Sequence, residues 1–226
     1  MRKISVPLSF VTCLLLMSVP AFALDLGVVV GVDRDSPSFD SGNTALKTQF
    51  EKSNLHTESS TGLAGGLLFQ QELFLFTLEL GAIYAGHRFD VVSTSGSKET
   101  RASVSMNFVE FPLVLRYHFF PFLSLGGGPY YARSVGKLTS TTVSSSGSTS
   151  KSTETTYEDA HLSSSETGAL ASLQLKLGLI GTSMNVLGDL RYLHGFTDLN
   201  KDHGYNGDYT LKRRGWEFLA GIAFGI

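Results

Sequence analysis

The sequence predicts an all-β protein: an eight-stranded antiparallel up-and-down transmembrane β-barrel, preceded by a cleaved signal peptide. Apolar and polar residues alternate with period two in eight separate segments of the sequence. Long and short connections between these stretches alternate as well. No segment after the N-terminus approaches the about 18 uninterrupted apolar residues of a transmembrane helix. Strands are therefore expected to carry the whole fold.

Residues 1–23 have the parts of a secretory signal peptide. Arg2 and Lys3 precede an apolar run at 11–19, and Ala21-Phe22-Ala23 supplies an A-x-A cleavage site. A membrane anchor is the alternative, but the run is shorter than the about 20 residues that a helix needs to span a bilayer. Cleavage and export are expected.

Composition excludes several classes of protein. The single cysteine, Cys13, lies within the signal peptide, so the mature chain is expected to lack disulfides and cysteine-based metal or nucleophile chemistry. Without Arg2 and Lys3 the 18 basic residues become 16 against 20 acidic residues, a formal charge of −4. This acidic balance argues against nucleic acid as a partner. Residues 24–226, rich in Gly, Ser, Thr and aromatic residues, fit one all-β domain.

Eight stretches have the alternation of a strand. The clearest is the last, in which even-numbered positions from Trp216 to Ile226 are apolar, while Glu217 and several glycines occupy odd-numbered positions. The predicted strands are 24–33, about 62–71, about 73–91, 107–122, 122–135, 167–177, 184–197 and 215–226.

The connections alternate in length. Long loops are predicted at about 34–61, 92–103, 136–166 and 198–214, and short turns near 71–73, 119–122 and 178–183. This asymmetry is typical of outer-membrane barrels, which have long extracellular loops and short periplasmic turns. An even number of strands then leaves both chain ends on the periplasmic side.

Charged residues within the strands predict which face lines the interior. In the stretch 107–122, Phe111, Leu113 and Leu115 share one face, and Glu110 and Arg116 share the other. A membrane barrel would turn the apolar face to lipid and the charged face to its lumen, and eight strands leave an interior just wide enough for side chains to fill. The predicted lumen network contains four acids and three bases: Glu79, Glu110, Arg116, Lys176, Asp189, Arg191 and Glu217.

Three segments resemble a known family: VEFPLVLRYHFF with the following LSLGGGPYYA, then LGDLRYLHGFTDLN, and the C-terminal WEFLAGIAFGI. They are similar to the porin-like outer-membrane β-barrel domains of the PorT type, with eight strands and the architecture of outer-membrane protein A. The resemblance implies residence in a Gram-negative outer membrane. It also implies a C-terminal signal for the barrel-assembly machinery, although here Gly225 and Ile226 follow the last aromatic residue. The residues of that signal are Trp216, Phe218, Ile222 and Phe224.

Two motifs resemble ligand sites but lack the necessary context. The triple glycine at 126–128 precedes neither a helix nor a lysine, so it predicts close packing or a bend in the wall instead of phosphate binding. Asp198, Asn200 and Asp202 have the alternation of a calcium loop. His203 then stands where glycine is needed and Tyr209 where a bidentate glutamate is needed, which favours an ordinary surface loop.

No catalytic, cofactor-binding or metal-ligating residue is predicted. The six histidines have no close pair at the spacing of a zinc site, and no serine, histidine and carboxylate form a localised constellation. We therefore expect a structural or surface-interaction protein, not an enzyme, whose Ser/Thr-rich loop around 134–166 and other loops mediate any binding to an extracellular ligand. The alternatives are a small pore or transporter, and a soluble periplasmic barrel, lipocalin-like, that binds an apolar ligand in its interior.

Overall fold

A computed structural model describes residues 24–36, 38–40, 56–95, 98–144, 150–202 and 210–226. The predicted signal peptide lies outside these residues and stays a prediction. In the part of the chain that is described, no helix has the length and apolarity that a helical membrane span requires.

The described residues form thirteen β-strands. They are β1 Leu24–Asp35, β2 Ser38–Asp40, β3 His56–Ser59, β4 Thr61–Leu73, β5 Phe76–Ser95, β6 Lys98–Phe120, β7 Leu123–Ser134, β8 Leu138–Ser144, β9 Ser150–Thr155, β10 Ser165–Gly178, β11 Met184–Gly195, β12 Thr210–Lys212 and β13 Arg214–Gly225.

Eight of these strands close into an antiparallel barrel. The hydrogen-bonded order is β5, β4, β1, β13, β11, β10, β7 and β6, and the pairing of β6 with β5 completes the ring. Closure leaves no barrel strand with an unpaired edge, which would cost several kcal/mol per orphaned backbone group in hydrocarbon. The predicted fold class is confirmed.

The predicted loop at 92–103 is wrong. Strand β5 continues to Ser95 and β6 begins at Lys98, with pairing in register from Val92↔Arg101 to Ser95↔Lys98. The segment is rich in Ser and Thr and lacks apolar alternation, so the sequence pattern does not reveal these strands, which are defined by cross-strand backbone pairing. The other predicted long connections also contain short strands: β2 and β3, β8 and β9, and β12.

The short turns, the start of β1 and the end of β13 lie at one end of the barrel. Two residues, Phe74 and Leu75, join β4 to β5, and Pro121 and Phe122 join β6 to β7. Asp25 at the start of β1 pairs with Gly225 at the end of β13. By the rule that outer-membrane barrels have short periplasmic turns, this is the periplasmic end.

The outer face of the barrel is apolar. Leu63 is 75% exposed, Val30 66% and Phe218 51%, and many similar side chains surround the barrel at the same level. A contiguous apolar surface of this extent requires a nonpolar solvent, which lipid supplies. The arrangement contradicts the lipocalin-like alternative, which needs the apolar faces inside and the charged faces outside.

Basic residues end this apolar face at the extracellular rim. Arg34 follows Val32 on the outward parity of β1, and exposed Arg88, Arg133 and Arg214 lie at the same end of β5, β7 and β13. The periplasmic rim instead carries exposed Phe74, Phe119 and other apolar side chains. The arginines mark the level at which the hydrocarbon layer ends.

Candidate functional site in the barrel interior

Arg116 of β6 and Glu79 of β5 form the centre of a polar network in the middle of the lumen. Both side chains have 0% exposure. Arg116 Nε donates to Glu79 Oε2 at 2.9 Å, and Nη2 donates to Oε1 at 2.9 Å. Nη2 also donates to Asp189 Oδ2 of β11 at 2.7 Å. The pairing is bidentate and charge-assisted, the strongest kind of side-chain contact between an arginine and a carboxylate.

Arg191 of β11 binds the same two carboxylates. Its Nη2 donates to Glu79 Oε1 at 2.9 Å, and its Nε donates to Asp189 Oδ2 at 2.9 Å. Two guanidinium groups and two carboxylates therefore neutralise one another where water is excluded, which offsets part of the cost of desolvating them. Glu217 lies 3.7 Å from Arg191 Nη1, outside hydrogen-bonding distance.

Neutral side chains add further hydrogen bonds to this central network, although Gln70 Oε1 has no hydrogen-bond partner. Arg116 Nη1 donates to Ser172 Oγ at 2.6 Å, and the Ser172 hydroxyl donates in turn to Asp189. Gln70 Nε2 lies 2.7 Å from Glu79 Oε2 and 3.1 Å from Gln174 Oε1. The network thus joins β4, β5, β6, β10 and β11 across the lumen.

The triple glycine makes room for the network. A Cβ atom added at Gly126 would lie 2.7 Å from Arg116 Cγ and 2.8 Å from Val114 Cγ1, closer than side-chain atoms approach. Only a residue without a side chain lets the buried arginine lie against β7 at this point. The motif therefore supports close packing, as predicted from its place within a strand.

A smaller group lies at the periplasmic mouth. Lys176 of β10 donates to Asp25 and, at 2.6 Å, to Glu72 Oε1. The Glu72 side chain is 41% exposed, so this pair is partly open to solvent. Ion pairs with that exposure contribute little to stability.

The extracellular end of the lumen holds a second buried group, which we call the upper cluster: Asp33, Asp35, His87, Glu110, Glu166 and Arg213. Arg213 Nη1 donates to Glu110 Oε1 at 2.6 Å, and its Nε donates to Asp35 Oδ1 at 3.0 Å. His87 Nδ1 lies 2.5 Å from Asp35 Oδ2 and also contacts Asp33 Oδ2. Four carboxylates share one guanidinium group here, a larger excess of acid than in the central network, where Glu79, Asp189 and Glu217 face two.

Aromatic side chains cover the upper cluster. The Tyr130 hydroxyl donates to Glu166, and Phe108 packs against His87 with ring centroids 5.3 Å apart. Tyr157, in the connection between β9 and β10, contacts Phe108 edge-on at 6.0 Å. The extracellular connections therefore fold back over the end of the barrel.

The structure separates the seven predicted lumen residues into three places. Glu79, Arg116, Asp189 and Arg191 meet in the central network with Glu217 beside them, whereas Glu110 belongs to the upper cluster and Lys176 to the periplasmic mouth.

Several buried charged residues were missed by sequence reasoning. Glu166 and Arg213 fell inside predicted loops, and Asp35 lay past the predicted end of the first strand. Asp33 and His87 stood on the correct parity for the lumen, and that signal was sufficient to include them.

The segment that resembles a calcium loop makes local hydrogen bonds instead. Asp198 Oδ1 accepts from the backbone amides of Asn200 at 3.0 Å and Leu211 at 2.8 Å. This is an Asx turn of the kind expected in an ordinary surface loop. The positions at 203 and 209 lie outside the described residues.

The closed barrel, the apolar belt and the charged lumen define a transmembrane β-barrel protein of the Gram-negative outer membrane. Residues 36–201 match the family model described as outer membrane protein beta-barrel domain, and the chain belongs to that family. The porin-like outer-membrane barrel class and the outer-membrane location predicted from the sequence are confirmed. The PorT subtype stays a prediction.

Solved structures with a similar course of the chain share little sequence. Ail of Yersinia pestis, solved with the heparin analogue sucrose octasulfate, is 11% identical, with 89% of this chain and 99% of that chain covered and a TM-score of 0.37. Neisserial surface protein A is 10% identical, with 88% and 97% covered and a TM-score of 0.38. No curated protein matches the chain.

Proposed function

We propose that this protein is a non-enzymatic surface protein whose extracellular hairpins and loops bind a partner outside the cell, while the barrel serves as a closed support. The observation that carries the proposal is the central network, whose charged side chains are at most 1% exposed. A lumen crossed by such side chains leaves no water path at that level, which argues against the pore or transporter alternative.

The strands extend well past the membrane. About 9–11 residues suffice for a tilted strand to cross a bilayer, whereas β5 has 20 residues and β6 has 23. Among the side chains of β5 that the structure describes, Tyr84 is the last exposed apolar one, and exposed Arg88 follows. The paired segments from His87↔Met106 to Ser95↔Lys98 therefore stand above the lipid as a hairpin extension, to which β3 adds a strand beside β5.

A second hairpin adjoins this extension. Strand β8 pairs with β6 from Thr100↔Ser144 to Ser105↔Thr139, and β9 pairs with β8. Strands β3 and β9 end the described sheet on its two sides. Ser- and Thr-rich strands at a sheet edge offer backbone and hydroxyl hydrogen bonds, which suits recognition of a polar partner.

Assembly would depend on the C-terminal strand. Trp216, Phe218, Ile222 and Phe224 all lie on the outward face of β13 and are 38–51% exposed. We infer that this face is the signal for the barrel-assembly machinery, which the family resemblance implies. The partners would thus be outer-membrane lipid, the assembly machinery and one extracellular ligand.

The experiment shortens one hairpin and leaves the barrel intact. Residues 140–153 are replaced by Asn-Gly, which closes β8 onto β9 at the pair Thr139↔Glu154 with a two-residue turn. Cells displaying the native or shortened protein are applied to arrays of glycans and of secreted proteins. We expect a binding signal that the shortened variant loses while its gel mobility still shifts on heating. Absence of binding by the native protein, together with steady single-channel currents in planar bilayers, would contradict the proposal.

A further inference from the structure

We propose that Asp33, Asp35 and His87 form a site for a divalent transition-metal cation at the extracellular end of the lumen. Asp33 and Asp35 share the inward face of β1, and His87 projects inward from β5, two strands away. Gly62 of the intervening β4 pairs with Asp33, and the backbone of Gly86 occupies the place of a Cβ there, so β5 lies close against β4 next to His87. The site is independent of the proposed surface-binding function.

The three side chains converge on one point. Asp33, Asp35 and His87 each offer a ligand atom, and these atoms lie within 4.8 Å of one another. His87 Nδ1 lies 2.5 Å from Asp35 Oδ2 and also contacts Asp33 Oδ2. One ring nitrogen carries at most one hydrogen, so it can satisfy only one of the two carboxylates. A cation bound among the three atoms would satisfy all of them.

The charge balance of the upper cluster favours a cation. Four carboxylates, Asp33, Asp35, Glu110 and Glu166, surround one guanidinium, Arg213. The central network, with Glu217 included, has three carboxylates for two guanidinium groups, a smaller excess of acid. Buried carboxylates without a counter-charge are costly. A divalent cation supplies two charges where the excess of acid lies.

The surrounding residues have the arrangement of a metal site's supporting groups. His87 Nε2 faces Glu110 Oε1 at 3.3 Å without a hydrogen bond between them. A histidine that binds a metal through one nitrogen usually directs the other at a carboxylate, so we expect metal binding at Nδ1 to align this contact. Arg213 Nε donates to Asp35 Oδ1, which leaves Asp35 Oδ2 directed at the site. Glu110 and Arg213 would therefore fix the orientation of two of the three ligands.

A small cavity and an unpartnered carboxylate oxygen adjoin the site. The cavity, of about 20 Å³, is lined by Asp35, His87, Glu166 and Arg213 among others. Glu166 is completely buried, and its Oε2 makes no hydrogen bond. A space of at least about 10–15 Å³ holds one water molecule. A water that completes the coordination of the metal and donates to Glu166 would fit there.

The ligand set favours Zn²⁺ or a similar first-row cation. Imidazole nitrogen and carboxylate oxygen are both zinc ligands, with bonds of about 2.0–2.2 Å. Those bond lengths place tetrahedral ligand atoms about 3.4 Å apart. Binding would thus move the Asp33 and Asp35 oxygens away from His87 Nδ1 by about 1 Å.

The test uses the full barrel without a histidine tag, refolded in detergent after removal of metals and then exposed to Zn²⁺ alone. Bound zinc is measured by mass spectrometry of the metal after desalting. We expect one zinc per chain in the native protein and at least a tenfold loss of affinity in Asp35→Asn and His87→Gln. Glu110→Gln should lose about 10–100-fold. Asp25→Asn, a buried carboxylate on the same strand, is the matched control and should bind as the native protein does.

Two further measurements distinguish a loss of zinc binding from a loss of folding and test whether the zinc is bound at His87. A heat-dependent gel shift identifies the variants that fold. Nitrogen-15 spectra of labelled histidine in the native protein should show a zinc-induced shift of the Nδ1 resonance of one ring, and this shift should be absent in His87→Gln. His161→Ala removes an exposed histidine beside Asp202 and should leave binding unchanged. The proposal is overturned if the native protein holds no stoichiometric zinc, if Asp35→Asn and His87→Gln bind equally well, or if His161→Ala abolishes binding.

Discussion

Arg116 and Glu79 are joined by two parallel hydrogen bonds of 2.9 Å between side chains that have no exposure to solvent. The two residues lie on neighbouring strands, β6 and β5, and the carboxylate also accepts a hydrogen bond from Arg191. Because the surroundings exclude water, neither charge can be rehydrated if its partner is removed.

Replacing Glu79 with alanine should therefore destabilise the barrel strongly. The variant leaves Asp189 as the one carboxylate of the network that is hydrogen-bonded to Arg116 and Arg191, and breaking a buried pair in this way typically costs about 3–5 kcal/mol. Urea unfolding in lipid vesicles, followed by the fluorescence of Trp216, the one tryptophan, measures this loss. Glu72→Ala is the control, because the partly exposed ion pair of Glu72 with Lys176 should contribute about 0–1 kcal/mol to the free energy of unfolding. Equal losses in the two variants would mean that the central network does not stabilise the fold.

Gly126→Ala should displace the Arg116 side chain. The added Cβ would lie 2.7 Å from Arg116 Cγ, and overpacking of this kind costs about 1–3 kcal/mol. The same unfolding experiment applies. At Gly188 the nearest atom to an added Cβ, on Leu175, is 4.0 Å away, so Gly188→Ala should stay within about 0.5 kcal/mol of the native protein. A harmless Gly126→Ala would show that β7 can move away from Arg116.

Tyr157 should ionise only in strongly alkaline solution. Burial raises the pKa of its phenol above the ordinary value of 10.0. The folded state then favours the neutral phenol, so its contribution to stability is complete below pH 10.0 and is lost as the pH rises through the folded-state value. The difference in absorbance at the phenolate band between the native protein and Tyr157→Phe should have its midpoint above pH 10.0. A midpoint at the ordinary value would mean that this connection does not close over Phe108.

Phe224→Ala should lower the amount of protein assembled in the outer membrane if the last strand carries the assembly signal. Phe119, also an exposed aromatic residue at the periplasmic end, is the matched control, since its loss removes similar contact with lipid. The heat-shifted fraction in isolated outer membranes is the measurement. We expect a several-fold decrease for Phe224→Ala and a smaller one for Phe119→Ala. Equal decreases would assign the effect to lipid contact alone.

Period-two alternation located all eight barrel strands because burial imposes that pattern wherever one face meets lipid. It failed at 92–103, where β5 and β6 continue beyond the membrane and neither face must be apolar. The alternation pattern also did not reveal Arg213 and Glu166, because they lie outside the clearly alternating stretches, although both are buried in the upper cluster.

The sequence by itself determined the number of barrel strands, the lipid-facing side of each barrel strand and the presence of opposite charges in the lumen, since all three follow from local patterns of polarity. Only the tertiary structure decided which charges meet. Closure brings Glu79 of β5 to Arg191 of β11, 112 positions along the chain, and brings His87 across β4 to Asp33. Such pairings depend on the register and stagger of the closed ring, and these are set by the packing of all eight strands together.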